Sequence, residues 1–476
     1  MAFWSRRKSI DELSSREGED RLKPTLSAWH LVLLGVGAIV GTGIYTLIGV
    51  GAERAGPAVM ISFAIAGAVC ACAALAYAEL ATMMPASGSA YTYTYASMGE
   101  LAAWIIGWAL ILEYSVVCSA VAVGWSGYAA GFLEGIGVSL PDALTLGPAQ
   151  GGVVNLPAVL IVLAVAAMLM VGTRESATVN GVLVIVKLAA LAAFVALALP
   201  AFDPANFTPF MPNGFAAVED ANGARGVMSA AAIIFFAFYG FDAVSTAAEE
   251  TKDPGRNLSI GIIGSMIACT AIYMVVAAAA VGAMTYTEFA ASGEPLSYIL
   301  RTLGHPGAAG LIAGAAVVAL PTVILAFMYG QSRIFFVMAR DGLLPRRLGV
   351  VDKRSGAPVI MTLVTAGVCS VLAGLLPLSQ IAELANAGTL AAFIATAGAV
   401  MILRVREPNR ARPFRTPFVF VVAPLAILGC LYLFVSLPAA TQTRFFIWMA
   451  VGLPVYLLYS ARASVLAKQG AEVAAG

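Results

Sequence analysis

Charge is what this chain has least of. Asp, Glu, Lys and Arg make up 11% of its 476 residues, against about 25% in an average soluble domain. Hydrophobic residues make up 60% and the mean hydropathy is +0.89. So apolar a chain reads as a polytopic helical membrane protein, one integral domain where length alone would suggest about three. With a net charge of +1, nothing points to a nucleic-acid partner. There are two histidines, His30 and His305, in distant segments, so no metal cluster is expected. The six cysteines lie in apolar stretches, and only Cys70 and Cys72 are neighbours. Two positions apart on a helix, that pair faces different ways, so all six read as core residues rather than disulfides or ligands. No catalytic cluster and no continuous polar pore is visible, which disfavours a membrane enzyme and a channel. The glycines near the start lack both the spacing and the preceding strand of a dinucleotide fingerprint, and no cofactor is expected. A polar stretch of 26 residues precedes the first apolar run, which is not the pattern of a signal peptide.

What is present is a series of apolar runs. Twelve lie near 27–51, 57–82, 101–132, 153–171, 178–199, 227–250, 257–284, 307–338, 358–376, 381–403, 417–437 and 444–462, and are numbered here as segments 1 to 12. Most suit a bilayer core of about 30 Å; the third and eighth are long enough to tilt or protrude. The connections are short and rich in Gly, Pro and Asn, with 200–225 the longest non-helical stretch. Lys and Arg in the connections set the orientation. With the amino terminus in the cytoplasm, 21 fall inside and four (Arg54, Arg225, Arg301 and Arg444) outside; Lys187 and Arg333 lie within segments. Twelve crossings then place both termini in the cytoplasm of a plasma (inner) membrane. The tail after Arg462 is small and polar and is expected to be disordered.

Two segments contain breaks. Gly35, Gly37, Gly41 and Gly43 fall inside segment 1, where glycine costs helicity. A break at Gly41-Thr42-Gly43 frees backbone groups that lipid cannot satisfy, so they must line an enclosed cavity or bind something. The half-helix before the break offers carbonyls to a cation, and the one after it offers N–H groups to an anion. A free amino acid carries both charges. The competing reading is plain helix packing, since Gly37 and Gly41 form a small-xxx-small pair. Segment 6 supplies a second break at Phe238-Tyr239-Gly240-Phe241-Asp242. Segments 1–5 and 6–10 are equal halves, each opening with a broken helix, and an odd count makes them enter from opposite sides. That is the inverted-repeat plan of secondary transporters. It divides the chain into a tail 1–26, a first repeat 27–199, an external loop 200–225, a second repeat 226–403, segments 11 and 12 within 404–462, and a tail 463–476.

Lys187 sits mid-segment 5 among apolar residues, where a lysine costs about 2.5–3.5 kcal/mol on insertion scales. Facing inward, its ammonium could take a cation's place by bridging carbonyls freed in segment 1. Burial favours the uncharged form of a lysine, so Lys187 is a proton-coupling candidate. Glu113 and Asp242 also lie deep in their segments. Either could pair with Lys187, carry a proton or recognise a cationic side chain; the alternative for each is a satisfied polar anchor between helices. Glu79 lies near the cytoplasmic end of segment 2. Glu100, Glu249 and Glu250 read as solvated interface charges, and Glu383 as a charge that favours the start of segment 10. The run Tyr91-Thr-Tyr-Thr-Tyr95 reads as an interfacial or re-entrant stretch with its rings at headgroup level.

These residues also resemble a family. Gly37-Ala-Ile-Val-Gly-Thr-Gly-Ile-Tyr45, Tyr77-Ala-Glu-Leu, Pro85-Ala-Ser-Gly-Ser-Ala-Tyr91, Gly107-Trp-Ala-Leu-Ile-Leu-Glu-Tyr114, Phe238-Tyr-Gly-Phe-Asp242, Tyr329-Gly-Gln-Ser-Arg333, Ala339-Arg-Asp-Gly-Leu-Leu-Pro345 and Asn386-Ala-Gly-Thr-Leu390 run in order through segments 1 to 10. Together they resemble the amino acid–polyamine–organocation transporters, most of all the cationic amino acid transporter branch with its bacterial members. One departure is Ser259, where the family often has proline. The resemblance implies an all-α leucine-transporter fold, a 5+5 inverted repeat plus two extra helices, and a proton-coupled amino acid carrier. It implies that Lys187 matches the segment 5 lysine standing at a sodium site of sodium-coupled relatives. The combined expectation is that backbone N–H groups at Thr42 and Gly43, next to Gly41, hold the substrate carboxylate. Carbonyls near Ile39 and Phe236 hold the ammonium. The resemblance implies that Phe236 and Tyr239 wall the side-chain pocket and that Met328 on segment 8 limits its size. Apolar and aromatic lining favours small neutral substrates such as alanine, with arginine or lysine, recognised by Asp242 or Glu113, as the alternative. The expected partners are an amino acid, protons and the bilayer; a monomer is compatible with the sequence, which sets no oligomeric state.

Overall fold

A computed structural model describes residues 6–10, 26–85, 88–171, 177–221, 223–248, 251–349 and 359–469. Among these, seven helices are long and apolar enough to cross a membrane: Leu47–Met83, Glu100–Gly135, Gly181–Ala201, Pro254–Ala283, Pro306–Arg340, Leu378–Arg406 and Ala439–Ala463. Five shorter apolar helices accompany them: Ala28–Ile39, Leu156–Met170, Val227–Phe238, Val359–Leu375 and Val419–Val435. Two of the short ones, Ala28–Ile39 and Val227–Phe238, are short because their segments break. After its break, segment 1 resumes and runs as Leu47–Ala55 through a single 3-10 turn into Val59–Met83.

The helix Glu100–Gly135 is the axle of the fold. At 36 residues it is about 54 Å long, well beyond the apolar thickness of a bilayer, and it is largely buried. It packs against the helices of segments 4, 8, 9, 10 and 12. Aromatic residues fasten segment 12 to it. The Trp108 and Trp448 rings stack with centroids 4.7 Å apart, and each indole N–H donates to the other residue's carbonyl at 2.9 Å. Trp104 stacks below them and donates to the Gly452 carbonyl at 3.0 Å. The 200–225 connection carries a small hairpin, Val218–Asp220 against Gly223–Arg225, antiparallel with Val218 opposite Arg225.

Several polar residues sit elsewhere than the sequence suggested. Residues Ser89–Ser97 form a helix with Tyr91, Tyr93 and Tyr95 fully buried in the protein rather than at headgroup level. Two of the hydroxyls find partners there: Tyr91 donates to Asp341 Oδ2 at 2.7 Å and Tyr95 to Glu100 Oε2 at 3.0 Å. Glu100 is likewise not solvated. It is wholly buried and accepts from Tyr95, Tyr456 and Ser464, with Arg6 3.6 Å away. Ser464 belongs to the tail expected to be disordered, and its first residues are instead docked on the protein, with Val465 N–H donating to the Asp341 carbonyl. Glu383 does not open its helix, which begins at Leu378; it pairs with Arg54 and accepts from Thr441 Oγ1 at 2.9 Å. Glu79 is held by Arg404 at 2.6 Å and Arg412 at 3.1 Å. Glu249 and Glu250 lie outside the described residues, as does the Arg333 side chain.

Candidate substrate and coupling site

The break in segment 1 falls where the glycines are densest. Helix Ala28–Ile39 ends, Val40 is extended, and the chain resumes at Thr42–Tyr45 with Gly41 as its cap. The N–H groups of Thr42 and Gly43 open this turn, so no carbonyl of their own helix is available to them. Thr42 is buried, and its hydroxyl oxygen has no hydrogen-bond partner. In segment 6, helix Val227–Ile234 tightens into a 3-10 stretch, Phe235–Phe238, and stops. Gly240 takes φ +110°, a conformation that favours glycine, before helix Phe241–Thr246 begins.

The two breaks press directly on each other, and the contact is reciprocal. A Cβ placed on Gly43 would lie 2.3 Å from Ala237 Cα, and one placed on Gly240 would lie 2.7 Å from the Ala38 carbonyl carbon. Gly43, near the start of the resumed segment 1 helix, thus meets the 3-10 stretch before the segment 6 break, and Gly240, in that break, meets Ala38 in the last turn before the segment 1 break. Glycine at both points is what permits backbone to approach backbone. Tyr273, from helix Pro254–Ala283, reaches into this junction. Its hydroxyl lies 2.8 Å from the Ile39 carbonyl and 2.9 Å from that of Ala237; with one hydrogen it donates to one of them at a time. The Ile39 carbonyl, expected to receive an ammonium, therefore already has a donor beside it, with its second lone pair open. The Phe236 carbonyl accepts from Tyr239 N–H at 3.4 Å.

Ile39, Gly41, Thr42, Gly43, Phe236 and Tyr239 are all buried around this junction. The Phe236 and Tyr239 rings lie 5.1 Å apart. Met328 is buried on helix Pro321–Arg340, whose Val323 comes within 3.5 Å of where a Gly41 Cβ would be. Lys187 is 1% exposed. Its ammonium donates to the Gly37 carbonyl at 3.0 Å and to Thr322 Oγ1 at 3.3 Å, while its own carbonyl accepts from Tyr45 at 2.9 Å. Segment 5 is thereby tied to both sides of the segment 1 break and to segment 8. Glu113 and Asp242 form a separate cluster. They are close enough for their charges to interact, and Tyr77, Tyr114 and Tyr239 are within electrostatic reach of both. Tyr114 donates to Asp242 Oδ2 at 3.3 Å, and Glu113 Oε2 is buried without a hydrogen-bond partner.

Sequence reasoning passed over Tyr273, Thr322 and the side chain of Asn386. Tyr273 carried a faint signal, a tyrosine deep in an apolar run whose hydroxyl needs a partner once buried. Nothing in the sequence says which carbonyl it finds.

Two broken apolar helices meeting face to face inside a multi-pass helical protein define a membrane transporter of the broken-helix type. The chain belongs to the amino acid permease family, whose profile matches residues 26–458. It is 46% identical over 466 residues to the branched-chain amino acid permease BcaP of Bacillus subtilis (strain 168), covering 97% of this chain and 98% of that one. It is 42% identical over 471 residues to the methylthioribose transporter of the same organism, covering 98% and 100%. A cationic amino acid transporter of Arabidopsis thaliana, number 4, vacuolar, is 35% identical over 410 residues, 85% of this chain and 67% of the plant protein. These relatives are transporters and permeases, not enzymes.

Proposed function

We propose that this protein is a proton-coupled carrier of neutral, apolar L-amino acids in the plasma membrane, working by alternating access. The observation that carries the reading is the reciprocal contact of the two breaks. A two-fold axis lying between them would generate that exchange, as an inverted repeat of segments 1–5 and 6–10 requires. Twelve crossings with both termini in the cytoplasm complete the plan. In this reading Thr42 and Gly43 N–H groups bind the carboxylate, with the partnerless Thr42 hydroxyl beside them. The ammonium takes the open lone pairs at Ile39 and Phe236. Phe236, Tyr239 and Met328 enclose the side chain. Apolar and aromatic walls suit aliphatic side chains, and the strong likeness to a branched-chain permease extends the range from alanine to leucine, isoleucine and valine.

Coupling is assigned to Lys187. Charged, its ammonium bridges segments 1, 5 and 8; neutral, it loses much of its hold on the Gly37 carbonyl, so protonation biases one access state over the other. Glu113 and Asp242, close enough for their charges to interact, are the alternative proton site and the feature that favours a second reading, recognition of a cationic side chain.

The test is uptake into proteoliposomes with and without an imposed pH gradient. The substrates are alanine, leucine, isoleucine, valine, arginine, lysine and methylthioribose. Gradient-driven accumulation of the aliphatic set is expected. Arginine or lysine accumulation would move the assignment to the carboxylates. Methylthioribose alone would overturn the amino acid reading, since it has neither charged group of an amino acid.

A further inference from the structure

Helix Leu378–Arg406 grips both broken helices from one side. Glu383 pairs with Arg54, which continues segment 1 after its break and also reaches Ser229 Oγ at 3.3 Å in segment 6. One turn on, Asn386 is wholly buried and uses both ends of its amide. Its Nδ2 donates to the carbonyls of Ala232, at 2.5 Å, and Ile233, at 3.1 Å. Its Oδ1 accepts from the Tyr239 hydroxyl. The two carbonyls belong to the last turn of Val227–Ile234, where the helix gives way to the 3-10 stretch and regular partners run out. Tyr239 lies beyond that stretch. One side chain therefore holds both the end of the helix before the 3-10 stretch and the residue that follows that stretch at the break.

We propose that Asn386 is a positioning residue for substrate selection: by holding the Tyr239 hydroxyl it sets where that ring stands, and so the relative acceptance of small and large apolar side chains. This rests on the reading that Tyr239 walls the site. Within segment 6 the ring packs on Phe235, 5.7 Å between centroids, and on Phe236, 5.1 Å. Both neighbours sit in the same 3-10 stretch and move with it. Asn386 supplies the reference from a different helix. Thr389, one turn further along the same helix, is also within hydrogen-bonding reach of the Tyr239 hydroxyl, and its own hydroxyl lies 3.3 Å from the Ala385 carbonyl. Without Asn386, the Tyr239 hydroxyl turns toward Thr389 and carries the ring with it.

The experiment uses the full chain reconstituted in proteoliposomes and measures KM for leucine and for alanine in the wild type, Asn386→Ala, Tyr239→Phe and the double variant. A residue that only supports the fold changes both KM values together or lowers the maximal rate. A residue that positions the wall changes their ratio. Each single variant is expected to shift the leucine-to-alanine KM ratio by about two- to tenfold in the same direction, the worth of one net hydrogen bond. The double variant is expected to shift it no further than the larger single one, because both remove the same contact. An unchanged ratio in Asn386→Ala, or shifts that multiply in the double variant, overturns the inference. Should Asn386→Ala fail to assemble, Tyr239→Phe decides alone, and a wild-type ratio there overturns it. A wild-type chain that carries no amino acid overturns the functional reading and this inference with it; normal transport with unmoved ratios overturns the inference only.

Discussion

Gly43→Ala puts the contact between the two breaks to a direct test. The added methyl would lie 2.3 Å from Ala237 Cα, 2.5 Å from its Cβ and 3.1 Å from its backbone nitrogen. The nearest atom is backbone, and alanine has no flexible end to swing aside, so the broken helices must part by about 1 Å to restore ordinary van der Waals contact. Forcing a methyl group into a packed site costs about 1–3 kcal/mol. Carried wholly by the substrate site, that is a loss of about 5- to 150-fold in affinity. Gly41→Ala is the matched control, because its methyl would meet Val323 Cγ2 at 3.5 Å, an ordinary contact. The assay is equilibrium binding of radiolabelled leucine to purified protein, with gel filtration showing that each variant remains monodisperse. Gly43→Ala should bind weakly or not at all and Gly41→Ala within a few-fold of wild type. Wild-type affinity in Gly43→Ala would mean that this junction does not shape the site; equal loss in both variants would mean that glycine is needed along the whole stretch for helix packing instead.

Lys187→Ala should abolish gradient-driven accumulation while leaving substrate binding, since the backbone groups at Thr42 and Gly43 remain. Lys187→Arg keeps a charge that does not titrate in this range and should also fail to accumulate. If Lys187→Ala retains the pH dependence and Asp242→Asn loses it, the proton site belongs to the carboxylate cluster. Glu294 offers a separate pH test in the 285–306 connection. Its carboxyl lies against Gly131, within 2.2 Å of where a Cβ would be, and accepts from Arg301 at 2.7 Å. Burial holds this carboxyl above the usual carboxylate range, Arg301 pulls it back, and Glu134 adds repulsion. A carboxyl raised in the folded state favours folding below its ordinary value, and that contribution is lost as pH rises through the raised one. Wild type should therefore lose thermal stability relative to Glu294→Gln as pH rises above the ordinary glutamate value of about 4.3; a flat difference in melting temperature would refute this.

Apolar runs and punctuating glycines made the helices legible, because in lipid only helices and closed barrels satisfy the backbone, and at these lengths the runs read as helices. The breaks at Gly41–Gly43 and Gly240 were legible for the same reason, as residues that cost helicity where helicity is otherwise obligatory. Lys187 stood out because a charge in an apolar run needs a cause. Partners were not legible. The sequence placed Glu100 and Tyr91–Tyr95 at a wet interface, since local composition cannot tell a solvated charge from one satisfied across the protein. The tertiary structure turned them inward: Tyr456 and Ser464 hydrogen-bond Glu100 and Asp341 accepts from Tyr91, all hundreds of residues distant, while Arg6 stands 3.6 Å from Glu100 as an ion-pair partner. The same holds at the site. The sequence by itself determined that segments 1 and 6 would be interrupted. Only packing decided that Gly43 would meet Ala237 and Gly240 meet Ala38, that Tyr273 would stand between Ile39 and Ala237, and that Asn386 would hold Tyr239. A break is a property of the residues in it, whereas a partner is a property of distance through the fold.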